Sequence, residues 1–195
     1  MFGGRKAERC IYQYRTERTL MGRTHLNDLN VDSITVNSVA LDATATELNR
    51  AADVSGRLIA AGGTLSVTEA LHDGKTILLD TAAGSVCTLP AATGSGARFR
   101  FVVSVVATSN SHKIQVANAS DVMQGFALSA QDGGDTNVLF ETASTSDTIT
   151  LNRTTTGSTQ KGEFFVLEDI GANLWTVWGV IAATGTEATP FSAAV

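Results

Sequence analysis

The sequence predicts an all-β fold, namely an antiparallel β-sandwich or jelly-roll-like domain preceded by an extended N-terminal arm and one short helix. Threonine and serine are abundant while lysine is scarce, a composition that favours pleated sheets and turns over helices. Short apolar or alternating segments recur at the spacing of sandwich strands, with glycine-bearing turns between them. At 195 residues and 43% apolar side chains, the chain can form one compact domain with extensions.

Residues 1–30 are predicted to be an extended basic arm that docks on another protein. Residues 1–25 hold six basic and two acidic side chains, whereas the rest of the chain holds 8 basic and 17 acidic ones. A basic arm also suits nucleic acid, but Tyr12 and Tyr14 would share one face of a strand among the charges, which favours a protein surface. This strand has no hairpin partner nearby, so we expect it to pair with another subunit. The predicted docking residues are Arg5, Lys6, Arg9, Tyr12, Tyr14, Arg15 and Arg18.

Residues 31–60 are predicted to be a connector with a short helix. Alternation of apolar residues over 34–36 and 39–41 predicts two short strands. Thr44 followed three positions later by Glu47 is typical of a capping box, which predicts that a helix of about three turns begins there. A helix of that length is marginal alone, so it must pack on the body or on copies of itself.

Residues 61–195 are predicted to form the β-sandwich body. Because no repeat has a constant period, the sequence predicts neither a solenoid nor a fibre shaft. After the last strand, residues 182–195 are expected to form a weakly structured tail. The predicted strands are 65–67, 76–80, 86–89, 98–106, 113–116, 127–129, 137–142, 148–152, 163–169 and 175–181.

The sequence contains no recognisable catalytic or metal-binding pattern. His25, His72 and His112 lie in no metal-ligand spacing, and His72 is interpreted as an exposed turn residue. The glycine-rich stretch 93–96 resembles a phosphate-binding loop but lacks the Gly-Lys-Ser/Thr ending, so we interpret it as a hairpin turn.

Two further features were weighed and also favour a structural interpretation. Asp132, Asp135 and Asn137 offer oxygen ligands for calcium, but no glutamate follows at the position that a calcium loop requires. Trp175 and Trp178 would face opposite sides of a strand, so at least one is expected in the core rather than stacked on a sugar. We therefore expect no enzyme, no cofactor and no bound metal.

The cysteines and the hydropathy pattern indicate a protein made in the cytoplasm. Cys10 and Cys87 are the only cysteines, one in the arm and one in the body, and we expect two reduced thiols rather than a disulfide. No apolar run is long enough to cross a bilayer, and no apolar block follows the first charges as in a secretory signal. No membrane association is expected.

Two groups of segments resemble structural proteins of tailed-bacteriophage virions. The first resembles a segment of phage tail-fibre and head-associated proteins, and the second resembles a β-domain of phage virion proteins. The first group comprises LDATATELN at 41–49 and AADVS at 51–55. The second comprises TAAG at 81–84, TLPAATGSG at 88–96, FRFVV at 99–103, DVMQG at 121–125, WTV at 175–177 and TPF at 189–191.

The resemblance implies a virion protein that forms a symmetric oligomer, expected to be a trimer, and it brings no catalytic residues. We expect a capsid decoration or cement protein, similar to head fibres, that binds the major capsid protein on the capsid exterior through its arm. The alternative is a short tail-fibre or tail-tip protein that binds host glycans, although the chain has neither a repeated shaft nor coiled-coil heptads. A hydrolase acting on surface polymers is a third class, without a recognisable constellation of residues. Nucleic acid is not expected as a partner.

Overall fold

A computed structural model describes most of the body and a few positions before it. The chain divides into two units, Met1–Leu48 and Asn49–Val195. The described residues are 35–36, 39–40, 44, 47, 56–131 and 137–195, with only the backbone described at 35–36, 39–40 and 131.

In the first unit, two features predicted from the sequence are present. Strands β1 (Thr35–Val36) and β2 (Val39–Ala40) pair in antiparallel orientation. The backbone N–H of Thr44 donates to Glu47 Oε2 at 2.7 Å, and the N–H of Glu47 donates to Thr44 Oγ1 at 3.2 Å. These reciprocal bonds form the predicted capping box, and Glu47 is helical, so the predicted helix start is confirmed.

In the described part of the second unit, nearly all of the regular secondary structure is β-strand, arranged in two sheets. The larger sheet has the order β10-β9-β13-β12-β7-β5-β3, and the smaller has the order β14-β11-β8-β6-β4. The elements are β3 (Leu58–Ala60), β4 (Thr64–Ser66), α1 (Glu69–His72), β5 (Thr76–Leu79), β6 (Val86–Thr88), β7 (Arg98–Val103), β8 (His112–Gln115), β9 (Val122–Gln131), β10 (Val138–Glu141), β11 (Thr148–Leu151), β12 (Phe164–Gly171), β13 (Leu174–Ala183) and β14 (Phe191–Ser192).

The prediction of wholly antiparallel sheets is wrong. From β3 to β8 the chain alternates between the two sheets, so that β3, β5 and β7 are parallel neighbours, as are β4, β6 and β8. This part winds like a short solenoid, which the prediction also missed. Thr76 pairs with Leu58 on one side and with Arg100 on the other, so successive turns differ in length and leave no constant period.

One core cluster draws its side chains from both sheets. In β7 the alternation predicted from the sequence is confirmed, because Phe99 and Phe101 are buried while their neighbours face outward. Trp175 of β13 is fully buried, with its ring 5.7 Å from that of Phe99 between centroids. Ile114 of β8 contributes to the same cluster from the smaller sheet. Such a shared core is what makes two sheets one folding unit.

The C-terminal residues are part of the body, so the prediction of a weakly structured tail is wrong. Strand β13 continues to Ala183, and β14 pairs with β11. Phe191 of β14 is buried against Phe165, with 6.1 Å between ring centroids. The carboxylate of Asp147 accepts hydrogen bonds from the backbone N–H groups of the last two residues, at 2.7 and 3.2 Å. These contacts hold the end of the chain on the smaller sheet.

Candidate interaction surface

The outer side of the larger sheet carries a continuous group of apolar side chains. Leu128 on β9 is the register partner of Leu139 on β10 and of Val180 on β13. Val180 in turn pairs with Phe164 on β12. Directly opposed residues share one face of a sheet, so these side chains form one row across four strands. Together with Phe126 and Trp178 in the next row, they are called the apolar face: Phe126, Leu128, Leu139, Phe164, Trp178 and Val180.

Much of this apolar face is open to solvent. The exposed fractions are 63% for Leu139, 52% for Phe126, 43% for Trp178 and 39% for Leu128. The Trp178 and Phe164 rings pack edge to face at 5.2 Å between centroids, which fixes the aromatic part of the surface. Scattered exposed apolar residues are ordinary, but a contiguous group of large ones marks a contact surface.

Opposite charges lie on the two sides of Trp178 in the row of register partners that contains it. Proceeding across the sheet, Glu141 pairs with Phe126, and Phe126 pairs with Trp178. On the other side Trp178 pairs with Val166, which pairs with Arg100. Glu141 and Arg100 therefore each lie two strands away from Trp178, on opposite sides of it. Both are exposed, and the structure gives neither an ion-pair partner among the described residues.

Each flank is an open cleft. The acidic cleft, beside Glu141 and Gln124, has a volume of about 410 Å³. The basic cleft has a volume of about 320 Å³ and is lined by Lys75, Arg98 and Arg100. The Arg100 guanidinium carbon lies 5.0 Å from the centre of the Phe164 ring, so a cation–π contact holds this charge against the apolar face.

The outer side of the smaller sheet has the opposite character. Its exposed and half-buried positions form two rows in register, and nearly all are polar. The rows are Thr64, Val86, Lys113 and Thr150, and Ser66, Thr88 and Gln115. Hydroxyl, amide and ammonium groups can keep their hydrogen bonds to water there, so exposing this side to solvent costs little free energy.

The glycine-rich stretch 93–96 holds a carboxylate that belongs to the protein itself. The backbone N–H groups of Thr93, Gly94 and Ser95 donate to Asp169 at 2.9, 2.7 and 3.1 Å. Burial raises the pKa of Asp169, but these three N–H bonds and the Ser95 hydroxyl outweigh it and hold the pKa at about 2. The loop is an anion-binding nest whose ligand is Asp169, so it is not free to bind phosphate.

Glu163 also accepts several backbone hydrogen bonds within one loop. It accepts hydrogen bonds from the backbone N–H groups of Ser158, Thr159 and Gln160 at 2.6, 2.7 and 2.8 Å. Burial raises the pKa of Glu163, and the N–H bonds only partly oppose that shift. Asp121 likewise accepts from the N–H of Ala92 at 3.1 Å. These acids satisfy backbone donors and are not presented to a substrate.

The buried nucleophile and base candidates are also structural. Burial, with a smaller contribution from Asp80, raises the pKa of the free thiol of Cys87 to about 12, so it is not a thiolate near neutral pH. Burial lowers the pKa of His112. Its Nδ1 accepts from the N–H of Ser85, which assigns the proton to Nε2, and Nε2 donates to the Val105 carbonyl.

The interpretation of His72 as an exposed turn residue is wrong. The side chain is 5% exposed and belongs to α1, a helix of four residues that the sequence did not predict. Its Nδ1 accepts a hydrogen bond of 2.9 Å from the N–H of Thr68, which stabilises the start of that helix. By contrast, the expectation for the two tryptophans is confirmed, because Trp175 is buried while Trp178 is exposed.

Several residues singled out in the sequence lie outside the described residues. These include the whole set predicted to dock, and the first two residues weighed as calcium ligands. They are Arg5, Lys6, Arg9, Tyr12, Tyr14, Arg15 and Arg18, then Asp132 and Asp135, and also Cys10 and His25.

Sequence reasoning missed the apolar face, although a signal was present. Residues 126–128 are apolar at three consecutive positions, so one face of that strand had to be apolar on the side away from the core. The same holds for 164–167 in β12, where Phe164 points outward beside the buried Phe165. Consecutive apolar residues in a strand indicate that both faces are covered.

No protein-family model matches the chain, and no curated protein matches it. Among the described residues, no three His, Cys, Asp or Glu side chains are grouped so that they could hold a metal ion. None of the helices in the described part of the chain has the length and apolar character needed to span a bilayer.

Proposed function

We propose that this chain is a structural virion protein that binds the outside of a tailed-phage capsid and decorates or stabilises it as a symmetric oligomer. The observation that carries the proposal is the contrast between the basic first 25 residues and the acidic remainder of the chain. A basic segment with alternating tyrosines can add a strand to a neighbouring protein while its charges pair with acidic groups. The resemblance to virion proteins supports the same role.

A role without catalysis is supported by how the body uses its ionisable groups. Asp169 and Glu163 accept three backbone N–H bonds each, and Cys87 is buried with its thiol protonated. Groups committed to loops in this way cannot shuttle protons to a substrate without breaking the loops. The proposal is therefore a binding protein with no cofactor, made in the host cytoplasm and carried on the virion.

In this proposal the arm binds the major capsid protein and the β-body projects outward. Arg5, Lys6, Arg9, Arg15 and Arg18 pair with acidic capsid groups, while Tyr12 and Tyr14 anchor the strand. One arm is a modest binder, but arms joined in an oligomer act at a high effective concentration. The resemblance implies three arms per oligomer, and nucleic acid is not proposed as a partner.

For the body, we propose the sandwich as the architecture. The support is the core that both sheets share, with Phe99 from one side and Ile114 from the other. Jelly rolls are antiparallel, so the parallel strands from β3 to β8 favour a sandwich of mixed sheets over the jelly-roll order.

The proposal is tested by reversing the charge of the arm. Replacing Arg5, Arg9, Arg15 and Arg18 with Glu should weaken binding to capsids that lack the protein at least about a hundredfold, because four attractive contacts become repulsive. The matched control replaces the same four residues with Lys, which keeps the charge and should retain most of the binding. Co-sedimentation at low salt measures both, and circular dichroism checks that the body stays folded. Equal occupancy by the Glu variant would refute the docking role.

The second candidate is a tail-tip protein that binds host glycans, and one observation favours it. Trp178 is 43% exposed beside the Phe164 ring, and exposed aromatic rings are surfaces on which sugars stack. Electron microscopy of virions with a label on Val195 separates the two candidates. Label over the shell supports decoration, whereas label confined to the tail supports glycan binding.

A further inference from the structure

The apolar face is a contiguous group of large exposed side chains, which is typical of a contact surface, and a partner that covers it must suit both its apolar centre and its charged flanks. Four of its side chains are among the large apolar residues that are most exposed in the described part of the chain: Phe126, Leu128, Leu139 and Trp178. We propose that a second copy of this chain covers it, with a two-fold axis that runs along β13 through Trp178. This contact does not depend on the capsid role, because both partners are the same chain.

The register of the larger sheet makes the face complementary to itself. A two-fold axis along β13 exchanges the strands on its two sides, so β10 of one copy lies over β7 of the other. Because the rotation leaves positions along the axis unchanged, each row of register partners lies over the same row of the other copy. Glu141 and Arg100 stand in the Trp178 row at equal distances of two strands from β13. Glu141 of each copy therefore faces Arg100 of the other, and the contact contains two such pairs.

The spacing of packed sheets suits these pairs. Two sheets pack face to face about 10 Å apart, and Glu and Arg side chains extended from opposite sides can meet across that gap. The Trp178 side chains lie on the axis, where they would be the most deeply buried part of the contact. Tryptophan at the centre and arginine beside it are the residue types that dominate binding energy at interfaces.

A head-to-tail contact is less favourable because the second surface it needs is missing from the described residues. Such a contact would set the apolar face against a different apolar region of the next copy. The outer side of the smaller sheet is polar, with Thr88, Lys113 and Gln115 at its centre. Outside the apolar face, the exposed large apolar residues of the described part of the chain are Leu58, Leu71, Ile170 and Val195, and they are not register neighbours of one another. Within the part of the chain that the structure describes, only the apolar face itself offers a matching surface.

The two-fold contact differs from the trimer that the family resemblance implies. A trimer joined through its arms is compatible with the two-fold contact only if the apolar faces join trimers in pairs, which gives an even number of subunits. The two-fold contact therefore predicts an even number of subunits, and it predicts that breaking the contact halves the mass.

A charge exchange tests this geometry directly in the full chain. In Glu141→Arg, two arginines face each other at each pair, and in Arg100→Glu two carboxylates do. Each single change should weaken self-association about tenfold or more, as measured by sedimentation equilibrium, because like charges face each other twice. The double variant E141R/R100E restores opposite charges and should recover most of the affinity. The matched control is Lys113→Glu, a charge reversal on the polar side, which should leave the mass unchanged.

Several outcomes would overturn the inference. The first is a monomer at protein concentrations of about 100 µM, since a specific contact of standard size is well populated there. The second is an odd number of subunits. The third is a double variant that associates no more tightly than the single variants. The double variant also guards against misfolding, because a folding defect in either single variant would persist in it. Capsid binding is measured separately on the arm variants, so either proposal can fail without the other.

Discussion

The outer sides of the two sheets show how one strand pattern produces two different surfaces. On both sheets every second residue enters the core, as Phe101 does in the larger and Ile114 in the smaller. The difference lies in the remaining positions, which are almost all polar on the smaller sheet, whereas on the larger sheet they include the large side chains of the apolar face. Threonine is as favourable in a strand as valine is, so strand formation alone does not explain why outward-facing positions of the larger sheet are apolar. This difference is the basis for proposing that the outer side of the larger sheet is a contact surface.

The largest effect on stability is expected at Gly125, where two strands of the apolar face approach each other closely. Gly125 lies in β9 with a φ of 150°, and a Cβ atom added there would overlap the carbonyl oxygen of Val177 on β13. Gly125→Ala should therefore separate the two strands that carry Phe126 and Trp178, and should lower the free energy of unfolding by at least about 3 kcal/mol.

Urea unfolding followed by circular dichroism measures the effect of Gly125→Ala. The matched control is Gly63→Ala, since an added Cβ there meets no atom within 4 Å. The control should unfold like the wild type. If both variants unfold alike, the parallel pairing of β9 with β13 is incorrect, and the apolar face is no longer a single surface.

A smaller effect is expected at the carboxylate that joins the larger sheet to the loop at 93–96. Asp169→Asn removes the charge that three N–H groups and a hydroxyl stabilise, and should cost about 2 kcal/mol of stability. Glu168→Gln is the control, because it removes a carboxylate from the adjacent, outward-facing position. Its effect should stay within about 0.5 kcal/mol.

The same residue gives the protein a specific dependence on acid. The folded-state pKa of Asp169 is about 2, below the ordinary value of 3.8, so its charge stabilises the fold at pH values above about 4. That contribution is lost as the pH falls from 4 towards 2, when the carboxylate is protonated in the folded state as well. The stability difference between wild type and Asp169→Asn should therefore shrink over this range. A difference that stays constant down to pH 2 would show that the loop does not hold a charged group.

Local patterns in the sequence predicted those parts of the fold that depend on near neighbours. The alternation around Phe99 and Phe101 predicted β7, and the spacing of Thr44 and Glu47 predicted a helix start. The separation of the two tryptophans predicted that they face opposite sides and that at least one ring is in the core. Each of these depends on residues a few positions apart.

Features that depend on distant residues were not predictable in the same way. Alternation is the same in parallel and antiparallel strands, so the winding from β3 to β8 left no signal. The role of the loop at 93–96 depends on Asp169, which lies more than 70 residues away. The burial of Phe191 likewise depends on Phe165, a partner that no local pattern identifies. The apolar face depends on four strands meeting in one register, which only the structure provides.

Tryptophan fluorescence tests most directly whether the apolar face is a contact between copies of this chain. The chain has two tryptophans, and Trp175 is buried, so quenching by acrylamide reports mainly on Trp178. At low protein concentration Trp178 should be quenched readily, and the quenching should fall several-fold as the concentration rises and the faces pair. The Arg100→Glu variant should need a higher concentration for the same protection. Quenching that is independent of concentration while Trp178 remains accessible would contradict the account.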